Sequence, residues 1–166
     1  MKAKDFIQDL KRLESELQHL PKDVAVLAAD EFDLNFARES FFGRVWQASD
    51  YVKKTRSGGK LLQHTGKLRK SIKHKVQGSR IEFYSNLDYA NIHNEGGTVK
   101  HPGGTAYFKK KGETIWVSNR KAAGKNYRRT KAHNIKIPQR QFIGEHPELD
   151  KMIENEVYEI FKSVFK

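Results

Sequence analysis

Cysteine is absent from the 166 residues of this chain, so disulfides and thiolate metal sites are excluded. No apolar run approaches the ~18 residues that cross a bilayer, and Met1-Lys2-Ala3-Lys4-Asp5 has no signal-peptide apolar core. A protein with these absences is expected to be made and used in a reducing cytoplasm, or mounted on something assembled there. Internal repeats are missing too. Acid is scarce in one place: from Thr98 to Lys136 only Glu113 is acidic, against eleven basic residues, so this window holds +10 of the formal +12. The rest of the chain is close to neutral. A block of one sign reads either as a surface for nucleic acid or an acidic protein, or as a solvated loop that keeps the chain soluble.

The length suits a single domain over residues 1–166, which buries roughly 70% of its unfolded surface and needs no staples. Phe6, Leu10, Leu13 and Leu17 recur at helical spacing. Pro21 breaks that pattern and opens a second helix whose face holds Ala25, Ala28, Ala29, Phe32 and Phe36. Residues 1–38 therefore read as a helical hairpin or one long kinked helix. Glu39 to Lys60 has no period and reads as an irregular loop pinned by Phe41, Phe42 and Trp46, with a flexible tip at Ser57-Gly58-Gly59.

In the 61–97 portion, Ile72, His74 and Val76 alternate with polar residues, as do Ile81 and Phe83, with Gly78-Ser79 between them. Glycine at the first central position suits a type II′ turn, which sets Gln77 opposite Arg80, Val76 opposite Ile81 and His74 opposite Phe83. Asp88 to Asn94 reads as a short helix or turn capped by Gly96-Gly97. In the basic 98–136 excursion, Ala106-Tyr107-Phe108 and Thr114-Ile115-Trp116-Val117 suit a second hairpin around Lys111-Gly112. Arg120 to Lys131 reads as disordered by itself. Ile135 and Ile137 form a closing strand ending at Pro138. Within 137–166, Pro147 starts a C-terminal helix with the stripe Leu149, Met152, Ile153, Val157, Ile160, Phe161 and Val164. The fold class is α+β: long N- and C-terminal helices on a small antiparallel β-sheet, with a basic loop or hairpin excursion.

Catalytic constellations fail on spacing. A phosphate loop at Gly66-Lys67 needs glycine where Leu61 stands and Ser or Thr where Leu68 stands. Thr65 is better read as the N-cap of a short turn, with Leu68 and Ile72 pointing inward. His93-Asn94 and His133-Asn134 invite comparison with small metal-dependent nucleases. Apart from Glu95, however, no carboxylate lies beside His93, His101 or His133 to complete a site, and no zinc spacing fits. His74 reads as a hydrogen-bonded core or interface residue. Lys109, Lys110 and Lys111 beside Tyr107, Phe108 and Trp116 offer phosphate contact and base stacking. An ordinary hairpin with a charged tip explains them more simply, since the aromatics follow strand alternation. Arg128 and Arg129 read as a basic arm that touches DNA or an acidic partner. No cofactor, metal or catalytic residue is expected, and the chain reads as no enzyme.

Three segments carry a family resemblance. Thr65, Gly66, Leu68, Ser71 and Ile72 match a Thr-Gly-x-Leu-x-x-Ser-Ile signature. Tyr89, Ala90, His93, Gly96 and Gly97 match Tyr-Ala-x-x-His-Gln-x-Gly-Gly, with Asn94 in place of a frequent Gln. Ile137, Pro138, Arg140, Phe142 and Gly144 match Ile-Pro-x-Arg-x-Phe-x-Gly, with Gln141 in place of a common proline. In this order, across residues 61–147, they resemble the virion morphogenesis or tail completion proteins of tailed bacteriophages. The resemblance implies a non-enzymatic structural or assembly protein of a phage or prophage that completes the tail or joins it to the head. It implies a homo-oligomeric ring on the particle axis, partnered by other connector or tail proteins. The place would be the host cytoplasm during assembly, then the virion's head–tail junction, with no membrane. The alternative is a stand-alone nucleic-acid-binding protein using the 98–136 segment. His93 and Arg140 are expected to be architectural: His93 fastens the short helix to the sheet, and Arg140 pairs with an acid across a fold or subunit boundary.

Overall fold

Two apolar stripes in phase decide the first element. Leu17 and Leu20 continue into Val24, Ala28 and Phe32 on one helical face, and residues Ala3–Arg38 form one helix, α1, straight through Pro21. Of the two readings of residues 1–38, a single long helix is the one observed, and the hairpin is not. Proline in a helix interior costs about 3 kcal/mol. The single face that buries Val24, Ala25, Ala28, Phe32 and Phe36 offsets it, since each large side chain contributes about 1.5–3 kcal/mol. The structure, a computed structural model, describes residues 3–48, 59–118, 121 and 126–165. The proposed flexible tip at Ser57-Gly58 falls outside them.

The start of the 39–60 segment is ordered rather than irregular. Strands β1 (Ser40–Phe41) and β2 (Arg44–Val45) pair antiparallel across Phe42-Gly43. Both turn residues have positive φ, 44° and 87°, the pattern of a type I′ turn. Phenylalanine is an unusual occupant of such a position. Its ring stacks on His146 at 4.4 Å, and its N–H donates to the Asn35 side chain at 3.2 Å. Those contacts offset the strain. Trp46 follows and is buried, as its role of aromatic pin requires.

A short helix, α2 (Lys67–Ser71), leads into hairpin β3 (Ile72–Gln77) and β4 (Arg80–Ser85). The register is the expected one: Gln77 faces Arg80, Val76 faces Ile81 and His74 faces Phe83. Positive φ occurs at Gly78 and not at Ser79, as the II′ turn demands. Phe83 meets Phe32 edge-on at 4.9 Å, which fixes the hairpin to α1. His74 shares that strand face yet is exposed, with its ring tilted 5.6 Å from Phe83. Of the two roles expected for it, core or interface, its exposure excludes the first, since α1 covers Phe83 and leaves His74 at the margin of that face.

Helix α3 (Ala90–Glu95) ends at Gly96, where φ is +73°. Strand β5 (Gly97–His101) then pairs with β9 (His133–Ile137), Gly97 opposite Ile137. Between them lie β6 (Ala106–Lys110), β7 (Glu113–Val117) and β8 (Arg128–Arg129), ordered β7-β6-β8. The hairpin at Lys111-Gly112 is as expected. Arg128 and Arg129 are not disordered: they hydrogen-bond to the free edge of β6, Arg129 opposite Ala106 and Arg128 opposite Tyr107. An unpaired edge is a ready template for a further strand.

The last helix, α4 (Pro147–Val164), has proline in its first turn, and the His146 ring accepts the Glu148 N–H at 3.1 Å as its cap. It runs back along α1: Leu149 packs with Ala28 and Phe32, while Phe165 lies 6.4 Å from Phe6. The N-terminal half of the α1 stripe is only partly covered, with Phe6, Leu10 and Leu17 still about two-fifths exposed. The architecture is α+β, with four helices and small antiparallel sheets among the described residues.

Candidate functional site

The three sequence motifs converge. Leu68 from the first, Ala90 from the second and Phe142 from the third share one core with Phe36, Trp46 and Leu61. Phe36 lies 5.1 Å from Phe142 and meets Trp46 edge-on at 5.5 Å. Aromatic pairs at such spacings add about 0.5–1.5 kcal/mol beyond their burial. The motifs build a packing centre.

Polar side chains then tie the segments together. The Asn94 side-chain oxygen accepts two backbone N–H groups of the third motif, from Phe142 at 2.9 Å and Ile143 at 3.2 Å. The His93 carbonyl accepts the Arg140 N–H at 2.8 Å. The Trp46 indole donates to the Gln141 carbonyl at 2.7 Å, and the Arg140 Nε donates to the Gln47 carbonyl at 2.8 Å. Asn94 and Trp46 thus hold residues 141–143 from either side. The sequence marks Asn94 as a motif position and Trp46 as an aromatic pin but discloses neither hydrogen bond, because the partners lie 48 and 95 positions away. The signal that could have found them is the need of an extended segment after a proline for acceptors and donors of its own.

The expected site residues fall into two groups. In the first, the Thr65 hydroxyl accepts the Lys67 N–H at 3.4 Å. The N-cap position itself belongs to Gly66, whose φ of +67° carries the turn, so Thr65 is not the N-cap expected. Leu68 is buried. Tyr89 is exposed, its ring edge-on to His93 at 6.1 Å. Gly96 is obligatory: a Cβ there would lie 2.8 Å from the Gln139 backbone nitrogen. Gly97 begins β5 and would press a Cβ against Ile92. Pro138 ends β9 as expected.

Arg140 is buried and, among the described residues, pairs with no acid; its Nε goes to a carbonyl and its Nη2 has no partner. The expected acid pair is therefore absent within the described fold. His93 fastens α3 to the third motif through its backbone, rather than to the sheet through its ring. Its Nδ1 is buried without a partner. Burial, and secondarily the Arg140 cation, hold the His93 pKa below the ordinary imidazole value, which favours the neutral ring. Burial alone pulls down that of Arg140.

In the second group, Lys109, Lys110, Lys111, Arg128 and Arg129 all lie exposed on the β6–β7–β8 sheet or its turn. The Arg129 guanidinium donates to the Gly104 carbonyl at 2.8 Å, bracing the base of the sheet. His101 and His133 pair across the β5–β9 ribbon with rings stacked at 4.9 Å. His93 is elsewhere, on α3. Among the described residues no three His, Asp or Glu side chains are placed to hold a metal, and no helix is long and apolar enough to cross a membrane.

Comparison with known proteins matches residues 1–162 to the model of the phage virion morphogenesis family. No match was found among curated proteins or among solved structures.

Proposed function

Because the chain belongs to the phage virion morphogenesis family, we propose that it is a non-enzymatic component of a phage or prophage particle that completes the tail or joins it to the filled head. It works as one subunit of a ring on the particle axis, beside other connector or tail proteins, first in the host cytoplasm and then at the head–tail junction. The observation that carries this reading is where the motif residues go: Leu68, Ala90 and Phe142 into one core, and Asn94 into a backbone clamp. A chain whose signature residues build a rigid body offers surfaces, and repeated contacts around a ring gain strength through multivalency.

The test is negative-stain microscopy of particles made without this gene. Separate DNA-filled heads and tails, or tails with aberrant ends, are the expected result. Normal joined particles would sink the reading. The second reading, a stand-alone nucleic-acid-binding protein, is favoured by the exposed Lys109, Lys110, Lys111, Arg128 and Arg129. It requires DNA affinity that falls log-linearly with salt in the purified protein.

A further inference from the structure

Two surfaces, one remote from the core and the clamp and one bordering them, are complementary. The first is one face of the β6–β7–β8 sheet. Residues paired across strands share a face, so Tyr107, its partners Trp116 and Arg128, and Lys109 two residues along stand together. The Tyr107 and Trp116 rings lie 5.7 Å apart, and Trp116 is 60% exposed. An exposed Trp116 set against a half-buried Tyr107 and flanked by cations has the composition of an interface anchor rather than of an ordinary surface.

The second surface is a groove of about 540 Å³ between α1, β4, α3 and α4. Phe32, Phe83, Ile143 and Ile153 line its apolar part, and Glu95, Glu145 and Asp150 are its charged residues. No basic residue lines it. All three carboxylates are exposed. Glu95 accepts from the Asn94 amide at 2.7 Å, whereas the Glu145 and Asp150 carboxylates meet no cation among the described residues. The sheet that carries the cations contributes nothing to the groove of its own chain.

We propose that the Tyr107–Trp116 face of one copy seats in the acid-rimmed groove of a second copy of this chain, with Lys109 and Arg128 against Glu145 and Asp150. Apolar ring meets apolar floor, and unpaired cation meets unpaired carboxylate. Sheet face and groove are different patches of one chain, so the contact is head-to-tail. Contacts of that kind propagate from copy to copy and close into a ring when the rotation permits. The proposal rests on the ring of the assembly reading and gives it an interface.

The absence of native cysteine makes a disulfide trap clean. Thr114 lies opposite Lys109 on the docking face and Asn91 lines the groove; both are exposed. Purified Thr114→Cys and Asn91→Cys proteins, mixed at about 0.5 mM so that even weak contacts are populated, are expected to give a disulfide-linked dimer. Its yield should exceed that of either variant alone by about tenfold, fall to background when the Thr114→Cys chain also carries Lys109→Glu and Arg128→Glu, and recover when the Asn91→Cys chain carries Glu145→Lys and Asp150→Lys. No mixed dimer at that concentration overturns the proposal, as does a yield indifferent to the charge changes. Quenching of Trp116 fluorescence by a single-stranded oligonucleotide, without the cross-link, would instead assign the face to nucleic acid. The two readings fail separately. Joined particles without the gene sink the assembly role whatever the cross-link shows, and unjoined particles with no cross-link sink only this contact.

Discussion

The side-chain oxygen of Asn94 bridges the backbone N–H groups of Phe142 and Ile143, at 2.9 and 3.2 Å, across 48 positions of sequence. That one acceptor fastens the end of α3 to the segment leading into α4. Asn94→Ala leaves two part-buried donors without a partner, each costing about 1–3 kcal/mol. The expected loss of stability is about 2–3 kcal/mol, read as a lower urea midpoint at unchanged slope. Asn94→Asp keeps the acceptor but replaces the amide bond to the exposed Glu95 carboxylate with a like charge, so it should cost about 1 kcal/mol, less than Asn94→Ala. Equal losses in the two variants would show that the clamp is not what holds the segment.

Two glycines separate backbone conformation from close approach. Gly78 has φ +58° and open space where a Cβ would stand, while Gly96 has φ +73° and a backbone nitrogen of Gln139 at 2.8 Å from that point. Gly78→Ala should cost about 1 kcal/mol, the strain of a left-handed alanine. Gly96→Ala adds displacement of the Pro138–Arg140 backbone and should cost about 2 kcal/mol more. Thermal melts of the two variants measure the difference, and a Gly96 variant as stable as the Gly78 one would refute the close packing.

Local signals were the legible ones. Gly78-Ser79 between two alternating runs was enough to place every cross-strand pair of the β3–β4 hairpin, and Pro147 with Glu148 and Asp150 was enough to start α4, because turn chemistry and pattern lie within a few residues of each other. Pro21 left hairpin and single helix undecided for the opposite reason. Its cost is local, but the stripe that outweighs it is buried by α4 and β4, which are distant in sequence. Phe42 gave no hint of a left-handed turn, since its support comes from Asn35 and His146. Nor did Arg128 and Arg129 look like a strand before β6 presented an edge to them. At the candidate site, the motif residues could be named from sequence, while the clamp of Asn94 and Trp46 on residues 141–143 could not, because hydrogen bonds across such separations leave no local pattern.

His93 links stability to pH. Its imidazole is half-buried beside the Arg140 cation, so its pKa in the folded protein lies below the ordinary value, and the unfolded chain binds the proton first as pH falls. The contribution of this group is complete above about pH 6.5 and is lost as pH drops through the folded value. Asp33 runs in the same direction in a more acid range. Its pKa is lowered first by the hydrogen bond from Arg69 and then, against an opposing effect of burial, by the Arg69 charge. His93→Gln is therefore expected to flatten the dependence of the urea midpoint on pH between about 5 and 7. An unchanged slope would mean that His93 is no more shielded in the folded protein than in the unfolded one.

Charge reversal tests surface against scaffold. Lys109, Lys110, Lys111, Arg128 and Arg129 are exposed and none takes part in the motif-built core. Exposed substitutions away from caps and cores each shift stability by about 0.5 kcal/mol or less, so a variant with Lys109, Lys110, Lys111 and Arg128 changed to Glu, sparing Arg129 for its bond to the Gly104 carbonyl, should keep the circular dichroism and cooperative unfolding of the native protein. Its surface, however, is inverted where a partner must recognise it, and like charges facing each other across an interface cost several kcal/mol. The expected outcome is a folded protein that fails to restore infectious particles to a strain lacking the gene. Changing Lys4, Lys11, Arg12 and Lys22 on α1 to Glu instead imposes the same total charge change, spares the Arg38–Glu31 ion pair, and should leave particle yield within about tenfold of native. Normal yield from the sheet variant, or equal loss from both, would remove the basic sheet from the assembly surface, because only a difference between the two isolates position from net charge.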